Sequence, residues 1–318
     1  MITTDVNLAA EALQRDELVA MPTETVYGLA GNALSEHAVG KIFALKQRPL
    51  FNPLIVHVGG VDDLSQIAQE VPDAARRLAD AFWPGPLTLV LKKRPCVPDV
   101  TTAGKDTVAV RIPDHPVALE LLAQLDFPLA APSANPFGSI SPTTAEHVDG
   151  YFGEQLPVIL DGGPCRKGIE STIIGFEGEQ PIVYRLGALA IEDVERVVGP
   201  LASKTQNDNA PEAPGMLSRH YAPRTETRLT DEVEEELARL SGKKIGLLLF
   251  QKPSPSVSAE YQELLSPAGD LAEAARNLYA AMHRLDQLDL DLILAEKLPD
   301  EGLGKTLNDK LRRACCRD

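Results

Sequence analysis

Side chains able to bind an anion follow one another closely early in the chain. Thr25 comes just after a short apolar segment that breaks at a proline, and Lys46 and Arg48 close an apolar-periodic stretch. Asn52 comes just before the next apolar run, which His57 interrupts. Arginine binds phosphate or carboxylate groups with two hydrogen bonds, and lysine acts as a point charge. Each residue alone has a simpler explanation, because basic residues suit a helix C-terminus and an apolar strand often buries a histidine. Together they predict a site for an anionic ligand at strand ends.

An arginine interrupts the alternating segment 107–111. Thr107, Ala109 and Arg111 would share one face of a strand there. A buried arginine is costly unless it is paired. Arg111 therefore meets either an acidic neighbour or an anionic ligand, and the ligand is favoured because Pro113 ends the strand just after it.

A loop rich in small polar residues precedes a predicted helix over 143–152. It carries Ser133, Asn135 and Ser141. Such a loop can hold a phosphate at the N-terminus of a helix, although a simple turn-rich loop has the same composition. Further along, Ser171 and Arg185 lie at or near the strand ends of a predicted hairpin.

The elements that would position these residues follow from hydrophobic periodicity and from breaker residues. The predicted elements are a first helix over 1–16, a strand over 17–21, a helix from the N-cap Ser35 to Lys46, a strand over 54–58, helical segments over 62–69 and 73–83, strands over 87–91 and 107–111, a helix over 116–125, a strand over 158–160, a hairpin turning at 177–180, and a helix over 191–198. Residues 94–106 are predicted to be a loop. Beyond residue 228, strands over 244–250 and 290–295 and helices over 270–286 and 304–315 predict a small α/β unit.

Between these two parts, residues 199–224 are polar and rich in Ala, Asn and Pro, which is typical of a linker. This segment nevertheless contains PGMLSRHYAP, with Tyr221 inside it. A basic and aromatic motif in a linker favours a segment that closes over a site.

The motifs PTETVYGL, Lys-x-Arg-Pro and Asn-Pro-Leu-x-x-His occur here in that order, and the chain resembles the YrdC/Sua5 family of threonylcarbamoyl-AMP synthases. PGMLSRHYAP resembles the segment that marks the Sua5 branch. Two positions depart from the family pattern, Gln47 within Lys-x-Arg and Phe137 where a serine is common, and both leave the charges intact.

The resemblance implies an α/β fold in which a YrdC-like twisted mixed-sheet catalytic domain (1–200) is followed by a linker or lid (201–227) and a small Rossmann-like Sua5 domain (228–318). It also implies a reaction, in which L-threonine, bicarbonate and ATP give L-threonylcarbamoyladenylate and pyrophosphate, for t⁶A synthesis at position 37 of tRNA. The expected partners are the proteins that take up this intermediate, with tRNA involved only indirectly.

The resemblance also implies roles for individual residues. Threonine would be contacted by Thr25, His57, Arg111, Ser171 and the backbone at Ala131. ATP would be contacted by Arg48, Asn52, Thr107, Ser133, Ser141, Arg185 and Tyr221. Lys46 and Arg48 would be catalytic, with Lys46 reaching the phosphates or bicarbonate. Mg²⁺ is expected to accompany ATP, without a metal site built by the protein.

Composition limits the alternatives. The formal charge of −15 argues against a general nucleic-acid binder, although a local basic face keeps double-stranded RNA or tRNA binding open as the second function. A carbamoyl-transfer module, as in hydrogenase maturation proteins, is disfavoured by the linker and the second domain. The four cysteines lack a C-x-x-C spacing, so zinc is not expected. No apolar run is long enough to cross a membrane, and a cytoplasmic location is expected.

Overall fold

The N-terminal part contains a large sheet and the helices that cover it. The computed structural model describes residues 1–240 and 242–316. The strands are β1 (Ile2–Thr3), β2 (Val19–Met21), β3 (Gly28–Asn32), β4 (Ile55–His57), β5 (Leu87–Lys92), β6 (Thr107–Arg111), β7 (Leu129–Ala130), β8 (Val158–Leu160), β9 (Thr172–Glu177), β10 (Gln180–Arg185) and β11 (Ala202–Ser203). The helices are α1 (Val6–Gln14), α2 (Glu36–Lys46), α3 (Leu64–Ile67), α4 (Asp73–Phe82), α5 (Asp99–Thr102), α6 (Pro116–Ala123), α7 (Ala145–Phe152) and α8 (Ile191–Val198).

The sheet has the order β1-β8-β2-β3-β7-β4-β6-β5-β9-β10-β11 and mixes parallel with antiparallel pairs. In its middle, β4 and β6 run parallel, and their register places His57 opposite Arg111. Both strands end at these residues, so two predicted site residues meet at one edge of the sheet. The mixed-sheet α/β architecture expected from the sequence is confirmed.

Helix α2 shows how local sequence places two of the predicted cations. Ser35 caps its N-terminus by accepting a hydrogen bond from the amide of Ala38, as predicted. Its inner face buries Val39 and Ile42 in the core beside the sheet, and each such side chain contributes roughly 2 kcal/mol. The helix ends at Lys46, and the next residue adopts a left-handed conformation, which turns the chain toward Arg48.

The C-terminal part is a smaller α/β unit, as expected. Its strands are β12 (Thr227–Thr230), β13 (Ile245–Leu249), β14 (Gln262–Leu264) and β15 (Leu292–Glu296), and its helices are α9 (Val233–Arg239), α10 (Leu271–Asp286) and α11 (Leu303–Cys315). The four strands pair in parallel in the order β12-β15-β13-β14. The parallel sheet and its helices agree with the Rossmann-like expectation. In the described part of the chain, no helix is both long and apolar enough to cross a membrane.

The linker (201–227) is packed against both parts. It begins with β11, which adds a strand beside β10. Farther on, Ala213, Met216 and Tyr221 are buried, and the amide of Ala222 donates to the Gly138 carbonyl at 2.8 Å. Tyr221 joins a core cluster that combines residues of the N-terminal part with helices α10 and α11. The domain limits at 200/201 and 227/228 stay predictions.

Two local predictions were wrong, and several short strands were not predicted. The predicted helix over 1–16 is shorter, because Ile2 and Thr3 pair with the distant strand β8 and Asp5 caps the helix in an extended conformation. The predicted loop over 94–106 contains the short helix α5. Strand β3 was missed, because its glycines disfavour strands. A Cβ at Gly31 would lie 3.0 Å from Leu18, so the glycine permits close packing there.

Candidate active site

A pocket lies where strands β4 and β6 end beneath the linker. It brings together residues that are far apart in the sequence. The predicted site residues that line it are Thr25, Arg48, His57, Arg111, Ala131, Ser133, Ser171, Arg185 and Tyr221. The role that each plays toward a ligand stays a prediction.

Arg48 is fixed at the pocket wall by its own loop. Its guanidinium donates to the Asn52 carbonyl at 3.0 Å, to the Asn52 side-chain oxygen at 2.7 Å and to the Pro53 carbonyl at 2.8 Å. All three acceptors are neutral, and Arg48 is buried. Burial, together with the nearby charge of Arg185, lowers the pKa of Arg48 to about 9.

Arg185 lies on the same side of the pocket, at the end of β10. It donates to the carbonyl and the hydroxyl of Ser171, both at 2.9 Å, and to the Pro214 carbonyl of the linker at 3.3 Å. These acceptors are also neutral. Two buried guanidinium groups held by neutral oxygens leave positive charge to be compensated, so this side of the pocket suits a polyanion.

On another side, Arg111 meets an acidic neighbour. Its guanidinium pairs with Glu24 at 2.6 Å and donates to the Thr25 hydroxyl at 2.8 Å. The sequence favoured a ligand over an acidic partner for Arg111, and the acidic partner is present. Arg111 also faces the pocket. A single carboxylate group of modest size suits this side better than a triphosphate, because Glu24 already supplies one negative charge.

His57 stands next to Arg111 and is buried. Burial and the charge of Arg111 lower the pKa of His57 to about 3, so its ring is neutral at physiological pH. Within residues 1–240 and 242–316, nothing hydrogen-bonds the Nδ1 atom of His57. An unpartnered buried nitrogen is costly, so the ring lacks a hydrogen bond that the described part of the protein does not supply.

Four predicted contact residues lie outside the pocket wall: Lys46, Asn52, Thr107 and Ser141. Buried Lys46 donates to the Ser133 carbonyl at 2.6 Å and to the Asn135 carbonyl, so it holds the Ser-Ala-Asn loop. Burial and then the charge of Arg48 lower the pKa of Lys46 well below its usual range. Asn52 holds Arg48.

The other two residues are directed elsewhere. Thr107 begins β6, so the length of the strand separates it from Arg111 at the pocket. The hydroxyl of Ser141 donates to Glu170 at 2.6 Å. In this structure Lys46, Asn52 and Ser141 hold parts of the pocket wall, and the roles predicted for them and for Thr107 toward ATP stay predictions.

Comparison with known protein families identifies two matching models. The first, described as telomere recombination and covering Sua5, YciO and YrdC proteins, matches residues 11–187. The second, the C-terminal domain of threonylcarbamoyl-AMP synthase, matches residues 189–316. Together they account for both parts of the fold.

The chain belongs to the Sua5 threonylcarbamoyl-AMP synthase family. It is 42% identical to the threonylcarbamoyl-AMP synthase of Pyrococcus abyssi over 97% of this chain and 93% of that protein. It is 39% identical to the Bacillus subtilis protein of the same name over 96% of this chain and 91% of the relative. The crystal structure of P. abyssi Sua5 complexed with L-threonine superposes with a TM-score of 0.91 at 42% identity, covering 98% of this chain and 94% of that one.

In this Sua5 family member, several wall residues were not predicted from the sequence. They are Thr23, Val26, Gly28, Ile55, Pro132, Glu170, Pro214, Gly215 and His220. His220 and Gly215 belong to the linker motif, from which only Tyr221 was selected. Glu170 directly precedes the predicted Ser171, and its place in the sequence alone gives no sign that it lines the pocket.

Proposed function

We propose that this chain is an L-threonylcarbamoyladenylate synthase. It would join L-threonine, bicarbonate and ATP, release pyrophosphate, and so act as a nucleotidyltransferase toward an acyl oxygen. The observation that carries the proposal is the pair of buried guanidinium groups, Arg48 and Arg185, on one side of a pocket whose other side presents Arg111 and neutral His57. Family membership and the L-threonine complex of the P. abyssi relative support it.

Threonine would bind on the Arg111 side of the pocket. Its carboxylate would pair with the guanidinium of Arg111, which Glu24 and Thr25 hold in place. His57 would offer its unpartnered Nδ1 to a polar group of the amino acid. Ser171 and the backbone at Ala131 would complete this subsite, as the resemblance implies.

ATP would bind on the side of Arg48 and Arg185, with Ser133 and Tyr221 as further contacts. The reaction begins when the amine of threonine and bicarbonate condense to a carbamate with loss of water. A carbamate oxygen then attacks the α-phosphorus, and the bond to the bridging oxygen breaks as pyrophosphate leaves. Charge that builds on the phosphates would be compensated by guanidinium groups already in place. Lys46 would act through the loop that it holds.

Mg²⁺ would enter as part of the nucleotide substrate. Glu170 is the carboxylate on the pocket wall, and both its oxygens accept hydrogen bonds from Ser141 and Tyr279. Both oxygens of the one carboxylate among the described lining residues are thus engaged, and the ligands of the ion would be phosphate oxygens and water. The chain would work in the cytoplasm and pass its product to the proteins that transfer it to tRNA.

RNA binding is not favoured as an alternative. A protein that binds RNA needs exposed basic residues along the phosphate backbone. Three cations at or beside the pocket, Lys46, Arg48 and Arg185, are 1%, 7% and 5% exposed. They face a pocket and its supporting loops, where a duplex cannot reach them.

The test is pyrophosphate release from MgATP. The purified chain should release pyrophosphate when L-threonine and bicarbonate are both present, and omission of either should reduce the rate to background. The product should be identified by mass as threonylcarbamoyl-AMP. Release that is independent of threonine would contradict the proposal and indicate a simple ATPase.

A further inference from the structure

Glu170 is a carboxylate on the wall of a pocket whose other charged lining side chains, Arg48, Arg111 and Arg185, are cations. A negative charge here would repel the phosphates of ATP and would attract Arg185 away from them. Its side chain is only 7% exposed, so water does little to screen it. A pocket for a polyanion therefore requires that this charge be neutralised from within the protein.

The neutralising cation comes from the last helix, α11. The Lys310 ammonium lies 3.3 Å from Glu170 and is 1% exposed. Burial by itself would raise the pKa of Glu170, but the charges of Lys310 and Arg185 and the hydrogen bond from Ser141 outweigh it and lower that pKa to about 2. Glu170 is thus an anion whose compensation depends on a residue of the C-terminal part.

The same ammonium holds the linker. Lys310 donates to the Tyr221 hydroxyl at 2.9 Å and lies 4.4 Å from the centre of the Tyr221 ring. Tyr221 has a φ of 65°, a left-handed conformation that costs a non-glycine residue free energy. Its ring also packs on Tyr279 of α10, with the ring centres 5.7 Å apart. Contacts from the C-terminal part therefore stabilise this unfavourable backbone.

We propose that Lys310 is a positioning residue for the ATP subsite, which acts by neutralising Glu170 and by holding Tyr221 against the pocket. The inference rests on the proposed function, because it concerns how that reaction binds ATP. It assigns the C-terminal domain a direct part in the site: without Lys310 the buried Glu170 carboxylate loses its ion-pair partner and draws on the charge of Arg185 instead, and the Tyr221 hydroxyl loses its partner.

The experiment compares Lys310→Met with Lys305→Met in the full chain. Lys305 is a matched control because it also lies on α11 and also reaches back to the N-terminal part, where it pairs with Glu192 at 2.6 Å. That pair is exposed and lies outside the pocket. Lys310→Met should raise KM for ATP about tenfold or more and leave KM for threonine within about twofold, while Lys305→Met should change neither.

A rescue distinguishes charge compensation from loss of packing. Glu170→Gln keeps the size of the side chain and removes its charge. In the Lys310→Met background it should restore at least part of the ATP affinity. If Lys310→Met does not fold, the double variant carries the test alone: a KM for ATP near that of the wild type supports the inference, and a tenfold higher one overturns it.

Three other results would overturn the inference. They are a Lys310→Met enzyme that matches Lys305→Met, an equal rise in KM for ATP and threonine, and a defect that Glu170→Gln leaves unchanged. Wild-type chain that releases no pyrophosphate with all substrates would instead contradict the proposed function. In that case ATP affinity, measured by calorimetry on the same variants, decides the role of Lys310 separately.

Discussion

At the scale of single residues, Arg111 makes two kinds of contact. It pairs with Glu24 behind the pocket and faces the pocket itself. The acidic partner fixes the guanidinium in one orientation before any ligand arrives, and such pre-organisation reduces the entropy that binding must overcome. A lysine at this position would have one ammonium group on a flexible chain and would lack this fixed geometry.

Arg111→Lys should therefore weaken threonine binding selectively. A lysine keeps the charge but loses the two parallel hydrogen bonds to a carboxylate. We expect KM for threonine to rise about tenfold, which corresponds to about 1.4 kcal/mol, with KM for ATP within about threefold. Steady-state kinetics with each substrate varied in turn measures both. Arg166→Lys is the control, because Arg166 forms an exposed pair with Asp114. An equal rise in KM for threonine in this control would contradict the binding of the threonine carboxylate by Arg111.

His57 leads to a prediction about pH. Burial and Arg111 lower its folded-state pKa to about 3 from an ordinary value of 6.5. Below pH 6.5 the unfolded chain binds a proton that the folded chain does not, so stability is lost as pH falls through this range. From pH 6.5 to pH 5 the loss is about 2 kcal/mol.

His57→Asn should remove this contribution. Urea denaturation measures the free energy of unfolding of both proteins at pH 7 and at pH 5. Between these pH values, the wild type should lose about 2 kcal/mol more than the variant. His37→Asn, at an exposed position, should keep the full pH dependence of the wild type. A difference between wild type and His57→Asn that is the same at both pH values would mean that the folded protein also protonates His57.

At the scale of elements, the linker approaches Arg185 so closely that only glycine fits. Gly215 has a φ of +86°, and a Cβ there would lie 2.6 Å from the Arg185 side chain and 3.1 Å from the Tyr221 hydroxyl. The backbone of the linker thus forms part of the same wall as two predicted ATP contacts. This explains why a segment with the composition of a flexible linker is buried.

Gly215→Ala should displace Arg185 or the linker and raise KM for ATP several-fold. Gly178→Ala is the matched control, because Gly178 also has a positive φ, +61°, but a Cβ there would meet nothing within 4 Å. Both variants should lose about 1 kcal/mol of stability from the backbone conformation. Thermal unfolding and ATP kinetics separate the two effects. A normal KM for ATP in Gly215→Ala would show that the linker does not hold Arg185 for the nucleotide.

At the scale of the whole molecule, a chain with a net negative charge buries several cations around one pocket. The formal charge is −15, yet Lys46, Arg48 and Arg185 are buried around one pocket. This distribution suits small anionic substrates such as a nucleotide, which can enter a pocket. It does not suit a nucleic acid, which is too large to enter. The two parts of the chain share an apolar cluster around Tyr221 and Tyr279. Lys310 of the C-terminal part contacts Glu170 and Tyr221 on the pocket wall.

The sequence by itself determined the α/β class, the linker between two parts, and half of the residues on the pocket wall. Hydrophobic periodicity and capping suffice for helices such as α2, because Ser35 and its apolar face act locally. Sequence motifs predicted Thr25, Arg48, Arg185 and Tyr221 as site residues for the same reason: each lies in a chemically distinctive segment.

Only the tertiary structure decided which of these residues face the pocket and which support it. Lys46 and Ser141 carry the right chemistry, but their hydrogen bonds go to the Ser133 loop and to Glu170. The sequence did not predict Glu24 and Lys310 as part of the site, because their partners are distant in sequence. A charged residue is not predicted to be buried until the partner that compensates its charge is known. Strand β3 was missed because its pairing with β2 and β7 outweighs the low strand propensity of its glycines.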